Sequence, residues 1–167
     1  MDLSDVARPV TGLLDGAMDR TLVLGYTRIG SGLRRRWWPA DPAPDALVGK
    51  RVLVSGATAG IGLEMARAFA GLGATVHLLG RNAEKVERCV AEIAEQIPGA
   101  ALVGEVCDVS DLDAVVAWTT DFANRVPALD GLVHNAGLMP KERNVTPQGH
   151  ELQLATHILG PHLMTER

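Results

Sequence analysis

From Lys50 onward the chain alternates short apolar runs with longer stretches of helical periodicity, and no other feature restricts the fold as much. "RVLVSG" is rich in β-branched residues and bounded by glycine. "GIGLEMARAFAGLG" follows, with Ile61, Met65, Ala66, Phe69 and Leu72 on one helical stripe and Gly73 as the C-terminal stop. "ATVHLLG" reads as a second strand. "NAEKVERCVAEIAEQI" reads as a second helix, with Asn82 as N-cap and Val86, Val90, Ile93 and Ile97 facing inward. "AALVGEVC" is a third strand, and "SDLDAVVAWTTDFANRV" a third helix capped by Ser110, with Leu112, Val115, Val116, Thr119 and Phe122 inward. "LDGLVHNAG" is a fourth strand running into a glycine turn, and a last helix is expected from Pro147 to the end. The strand runs are continuously apolar, as expected for strands covered on both faces. The implied class is α/β: a doubly wound parallel sheet in three α/β/α layers, with right-handed crossovers.

Residues 1–48 lack this alternation and read as an N-terminal extension and linker, leaving 49–167 as the domain. Val10, Leu13, Leu14, Ala17, Thr21 and Leu24 recur at helical spacing, so one amphipathic helix is expected there. The prolines of "LRRRWWPADPAPD" forbid a regular helix and mark a linker. Its basic residues and tryptophans would suit the surface of an anionic membrane. The alternatives are a small nucleic-acid patch, an arm packed on the domain and a contact within an oligomer.

Other classes of partner find little support. A formal net charge of −4 offers no global attraction for nucleic acid. Cys89 and Cys107 form no metal-type spacing and read as free thiols of a reducing compartment. His150 and His157, seven apart, would share a helix face, but no further ligand accompanies them and no metal is expected. The apolar runs fall short of the ~20 residues that span a bilayer. "MDLSDVARPV" has no basic n-region, so the expected location is the cytoplasm. His77 is expected to be a buried histidine with a satisfied hydrogen bond, and Trp118 a packing or rim residue.

"SGATAGIG", Ser55 to Gly62, follows a strand and opens a helix, the context of a dinucleotide-binding turn. Gly56 would let the chain turn sharply. Gly60 would let backbone approach a pyrophosphate at the helix N-terminus, and Gly62 would let the helix sit close to the sheet. The spacing is G-x-x-x-G-x-G rather than G-x-G-x-x-G, and by itself a structural turn explains it equally well. Three further strand ends shift that balance. Arg81 follows the second strand, where an acid would bind the free 2′-hydroxyl of NAD; an arginine suits the 2′-phosphate of NADP, so NADP(H) is expected over NAD. Asp108 and Val109 follow the third strand, and Asn135, Ala136 and Gly137 the fourth. Ligands of open α/β sheets bind at the carboxyl ends of the strands, where all of these residues fall.

Together these segments resemble the short-chain dehydrogenase/reductase family, over about residues 48–167. "SGATAGIG" resembles its T-G-x-x-x-G-I-G loop, with Ser55 standing for Thr; "CDVSD" resembles its D-V segment. "LDGLVHNAG" resembles its L-D-x-L-V-N-N-A-G strand, with His134 for the first Asn. "TPQGHELQLATHILGPHLMT" resembles its T-x-D-G-x-E-x-x-x-x-x-N-x-x-G-x-x-x-L-T helix. The Arg after the second strand is similar to that of the retinol-dehydrogenase-like subgroup. The resemblance implies a Rossmann-type domain and hydride transfer between NADPH and a carbonyl or alcohol. It places Ser55, Gly56, Gly60, Ile61 and Gly62 around the pyrophosphate, with Asp108 and Val109 at the adenine. It places Asn135, Ala136 and Gly137 at the nicotinamide-side ribose. A homo-oligomer is expected of the full-length protein.

Two departures stand out. Counting back from Gly160 puts His157 where the family has an Asn that organises a relay water, and a neutral imidazole has both a donor and an acceptor for that task. The family's catalytic Ser and Y-x-x-x-K pair lie beyond the segment matched here. The single tyrosine, Tyr26, has Gly30 four residues later, so no Y-x-x-x-K is present. The expectation is the N-terminal portion of a longer reductase, its Rossmann sheet stopping after the fourth strand and following helix. The competing reading is a non-catalytic dinucleotide-binding module or degenerate relative. The extended epimerase branch fits less well, because its G-x-x-G-x-x-G spacing would displace Gly60.

Overall fold

A computed structural model of the chain describes residue 14 and residues 16–21, 27–36 and 38–167. Residues up to Asp41 and residues Pro42–Arg167 form two compact units. In the first, α1 (Arg28–Arg34) leaves Ile29 exposed. Of the helix expected around Leu14, Val10, Leu13 and Leu24 lie outside the described residues, and Leu14 and Ala17 are exposed.

The second unit is built on four strands, β1 (Arg51–Ser55), β2 (Thr75–Gly80), β3 (Leu102–Val106) and β4 (Gly131–Val133). All pair in parallel, in the order β3-β2-β1-β4. Between them run α2 (Gly60–Gly71), α3 (Ala83–Gln96) and α4 (Leu112–Arg125). After β4 come α5 (Leu152–Leu154), a π-helical turn (Ala155–Leu159) and α6 (Gly160–Glu166). The period-2 geometry of β1 and β2 sends Val52, Val54, Val76 and Leu78 to one face, where they pack with Ala66 and Ala70 of α2 and Cys89 and Ile93 of α3. Leu53 and Leu79 go to the other face, with Val115 and Phe122 of α4 and Met164 of α6. Two cores on opposite faces make the three α/β/α layers and account for the continuous apolar runs of the central strands.

The edge strand β3 departs from that pattern. Its Val106 is 49% exposed, whereas the Glu105 carboxylate is buried at 4%. Arg125 of α4 donates to both its oxygens at 3.1 and 2.9 Å, Trp118 Nε1 donates at 3.1 Å, and His77 Nδ1 lies at 3.0 Å. Burial alone would raise the Glu105 pKa, but hydrogen bonds from Arg125, His77 and Trp118 outweigh it and hold the carboxyl below its ordinary value. His77 is thus the buried, hydrogen-bonded histidine expected from the sequence. Phe122 stacks on Trp118 and meets His77 edge-on, completing the cluster.

The helices correct the sequence reading at three places, two at their boundaries and one in their packing. Asp111, not Ser110, caps α4: its carboxylate accepts from Asp113 N and Ala114 N at 3.1 and 3.2 Å. The last helix begins at Leu152 rather than Pro147, because residues 147–150 form a turn closed by Gly149 at φ 86°. His150 therefore lies ahead of the helix and shares no face with His157. On α2, Ile61 is 74% exposed instead of packed inward, since the small residues Gly62, Ala66 and Ala70 form its buried stripe. Gly73 ends α2 at φ 86°, and Asn82 caps α3 by accepting from Lys85 N at 2.9 Å.

Candidate cofactor site

The four strands end at a groove of ≈ 410 Å³. Its floor is the turn that follows β1. Gly56 takes φ 67°, and a side chain there would bring a Cβ within 2.8 Å of Ala136 Cα. Only glycine satisfies both conditions. Ala57 N donates to Leu79 O at 3.1 Å and ties the turn to β2. Gly60, at φ 55°, has open space where a side chain would point. Gly62 sits so close to the Gly56 carbonyl and the Asn135 amide that any Cβ would collide with both.

No side chain caps α2 at Ala59. Its first-turn N–H groups and dipole therefore remain for an anion, as a pyrophosphate site requires. Arg81 is exposed on the groove and makes no ion pair among the described residues. Its position fits a second phosphate.

Ser55 and Asn135 hold the turn against β4. Ser55 Oγ donates to Val133 O at 3.2 Å and accepts from Asn135 N and Ala136 N, both at 3.1 Å. Asn135 Nδ2 returns a hydrogen bond to Ser55 O at 3.0 Å. One buried hydroxyl thus bonds three backbone groups where the parallel strand ends, two of which, Asn135 N and Val133 O, also bond each other at 3.1 Å.

Asp108 is likewise organised locally: its Oδ1 accepts from Ser110 N at 2.9 Å and Ser110 Oγ at 2.7 Å. Between it and β3, burial and then the nearby Asp108 and Asp111 push the Cys107 thiol up to about 11. Cys107 is therefore a protonated wall of the groove at neutral pH, not a nucleophile.

Of the residues expected from sequence, Gly56, Ile61, Arg81, Asp108, Val109, Asn135, Ala136 and Gly137 line this one groove. Ser55, Gly60, Gly62 and His157 do not line it; Ser55 and Gly62 act through the contacts above. His157 lies in the π-helical turn, with Nε2 3.2 Å from Leu138 N and 3.0 Å from Leu138 O.

Sequence reasoning missed Thr58, Ala59, Leu79, Gly80, Cys107, Leu138 and Thr156. Most of them adjoin an expected residue, and that adjacency was the available signal. Thr156 adjoins His157 in the π-helical turn, whereas Thr58, between Ala57 and Ala59, adjoins none of them. Thr58 does more than line: its methyl occupies the space a Cβ on Gly80 would need, 2.7 Å away.

His134 Nε2 lies 2.9 Å from Thr165 Oγ1. That hydroxyl donates to Pro161 O at 2.8 Å, so the histidine is the donor. Burial lowers the His134 pKa and favours its neutral form.

The model of the short chain dehydrogenase family matches residues 50–165. The chain belongs to that family. An uncharacterized oxidoreductase of Schizosaccharomyces pombe is 32% identical over 93% of this chain, which corresponds to 45% of that protein. A short-chain dehydrogenase/reductase of Emericella nidulans is 36% identical over 71% of this chain and 39% of its own length. A crystal structure of a metagenomic short-chain oxidoreductase in complex with NADP aligns with a TM-score of 0.63 at 31% identity, covering 72% of this chain and 55% of that one. A short chain dehydrogenase of Escherichia coli complexed with NADPH aligns with a TM-score of 0.63 at 29% identity, covering 75% and 54%. The chain spans about half the length of the relatives it matches.

Proposed function

We propose that residues 49–167 bind NADP(H) and serve as the cofactor half of a reductase that moves hydride between NADPH and a carbonyl or alcohol. The observation that carries this reading is the single groove joining the uncapped end of α2 to Arg81, Asp108 and Asn135. The first-turn N–H groups of α2 would hold the pyrophosphate, with Gly56, Gly60, Ile61 and Gly62 giving it room. Arg81 would pair with the 2′-phosphate, which NAD lacks. Asp108 and Val109 would contact the adenine, and Asn135, Ala136 and Gly137 the nicotinamide-side ribose. When bound, the cofactor supplies the hydride; this chain's residues bind and orient it.

His157 stands at the relay position of the family and, in the full-length enzyme, is proposed to support proton transfer there. Arg81 favours a place in the retinol-dehydrogenase-like subgroup. The two free, buried thiols agree with a reducing, cytoplasmic setting. No helix among the described residues is long and apolar enough to cross a membrane. The exposed Trp38, Arg35 and Arg36 support a role for the N-terminal arm at a membrane surface. The open edge of β4 supports assembly with further chain or another copy.

Calorimetric titration of the chain with NADP+ and NAD+ tests the reading. NADP+ is expected to bind more tightly. Arg81→Ala should weaken NADP+ by about 10- to 100-fold, the worth of a charge-assisted phosphate contact, and leave NAD+ little changed. Equal loss for both nucleotides would remove Arg81 from the 2′-phosphate site. Binding without turnover in the full-length protein would favour the second reading, a dinucleotide-binding module, which the absence of a Y-x-x-x-K from these residues keeps in view.

A further inference from the structure

We propose that Gln148 is a positioning residue: its side-chain amide ties the turn between β4 and the last helix to two carboxylates at the start of α4, and so sets the spacing of two parts of the groove wall. The consequence for nucleotide binding rests on the cofactor reading of the groove; the tie itself does not.

One nitrogen meets two acids. Gln148 Nε2 donates to Asp111 Oδ1 at 2.8 Å and to Asp113 Oδ2 at 3.1 Å. An ionised carboxylate only accepts, so the nitrogen end of the amide must face the pair. Gln148 Oε1 is buried and accepts no hydrogen bond among the described residues, so the amide is held through its nitrogen alone. The same Asp111 oxygen also accepts from Asp113 N and Ala114 N. The bond from Ala114 N, and after it the one from Gln148, hold the Asp111 carboxyl below its ordinary pKa. Gln148 stands at the Asp of the T-x-D-G pattern. In this chain an acid there would face two like charges, whereas a neutral amide satisfies both.

Both ends of the tie lead to the groove. On one side, Thr146 N donates to His150 O at 2.8 Å, Gly149 N donates to Thr146 O at 2.9 Å, and Val145 pairs with Glu151 in an antiparallel bridge. This rigid turn lies along the chain between Leu138 and Thr156, which both line the groove. On the other side, Asp111 N donates to Asp108 O at 3.1 Å, and Asp108 and Val109 line the groove as well. Gln148 does not line it, so its influence on a ligand passes through these two segments. The close approach of Gly160 to Val109 O joins the same parts of the chain from α6. Without the tie, the turn and the start of α4 would be free to pivot about that approach. A dinucleotide that spans both parts needs them correctly spaced. A fragment that reaches only one part does not.

The test compares the wild-type 167-residue chain with Gln148→Met, which keeps the length of the side chain and removes the donor. Without nucleotide, carboxyl NMR should show the titration midpoint of Asp111 rise in the variant. An unchanged midpoint overturns the tie. Gln148→Asn, a methylene shorter, serves the same purpose should the Met variant not fold.

Calorimetry with NADP+ and with adenosine 2′,5′-bisphosphate, which carries only the adenine and 2′-phosphate end, then reads the spacing. The variant should bind NADP+ about tenfold more weakly, as expected for losing a hydrogen bond to a charged group, and the bisphosphate within about twofold of wild type. A loss of stability alone would move both ligands alike, so equal loss for both, or no loss for either, overturns the positioning role. If the wild type binds neither ligand, the cofactor reading fails, and the Asp111 titration alone decides the tie.

Discussion

At Gly160 the first residue of α6 passes so close to the segment after β3 that a methyl group would collide with the carbonyl oxygen of Val109. Val109 lines the groove, so packing of the last helix and shape of the groove are coupled through one absent side chain. Gly160→Ala should cost about 1–3 kcal/mol as overpacking and also weaken NADP+ binding. Urea unfolding and nucleotide titration of the same variant check both; a wild-type unfolding midpoint would show that the helix can shift freely. Gly60 makes the contrast. Its φ of 55° is left-handed but its side is open. Gly60→Ala should therefore cost only the backbone term of about 1–2 kcal/mol. The glycines of the turn were legible in the sequence because their task is local, set by a strand ending and a helix beginning a few residues later. Gly160 was legible only as part of a motif. The carbonyl that requires it belongs to a segment distant in sequence. His157 is similar: its position could be counted, but its contact with Leu138 arises only once β4 and the π-helical turn are side by side.

Among the elements, β3 departs furthest from its expected form. Its two faces are unlike: Leu102 and Gly104 pack on the first core, Gly104 against Val86 and Val90 of α3, while the opposite face carries a carboxylate with four hydrogen-bonding contacts from three side chains. The Glu105 pKa is depressed in the folded chain, so its stabilising contribution is complete above the unfolded carboxylate pKa and is lost as pH falls through the folded value. Unfolding free energy should thus decline below about pH 4.5, and Glu105→Gln should flatten that decline. At neutral pH the same change should cost about 1–3 kcal/mol. The partner left behind, Arg125, is 43% exposed and can rehydrate, which keeps the cost below that of orphaning a fully buried charge. Chemical denaturation across pH checks both; parallel acid slopes for the two proteins would show that other carboxylates dominate. The central strands were legible because burial on both faces leaves an unbroken apolar run. The edge was not, since "LVGEV" is nearly as apolar on paper and nothing local reveals that Arg125 and His77 await its one acid. Capping was ambiguous for a related reason: "DVSDLD" holds four residues of capping type, and the assignment turned on Ser110 being taken by Asp108.

For the molecule as a whole, the sheet ends unevenly. β4 is three residues long, pairs only with β1, and has no strand on its far side among the described residues. Below it Leu53, Phe122, Leu132 and Met164 line a second cavity of ≈ 380 Å³. The near side is firmly held: Lys50 Nζ and Arg51 N donate to the two oxygens of Asp130 at 2.8 and 2.9 Å, which fixes the start of β4 beside β1. Order on one side and an open ladder on the other make β4 a template for pairing. The 167-residue chain should therefore self-associate at micromolar concentration, with β4 amides protected from hydrogen exchange in the associated state and not in the monomer. Sedimentation at rising concentration, with exchange measured at both ends of the range, checks this. A single monomeric species that melts cooperatively, its β4 amides already protected, would mean that the short strand and its neighbouring cavity are sealed by the chain itself, and that the cofactor groove is carried by a self-sufficient unit. Association through β4 would instead make the groove and the open edge two parts of one folding problem, because Asn135 and Ala136, which Ser55 holds at the groove, follow that strand by two and three residues.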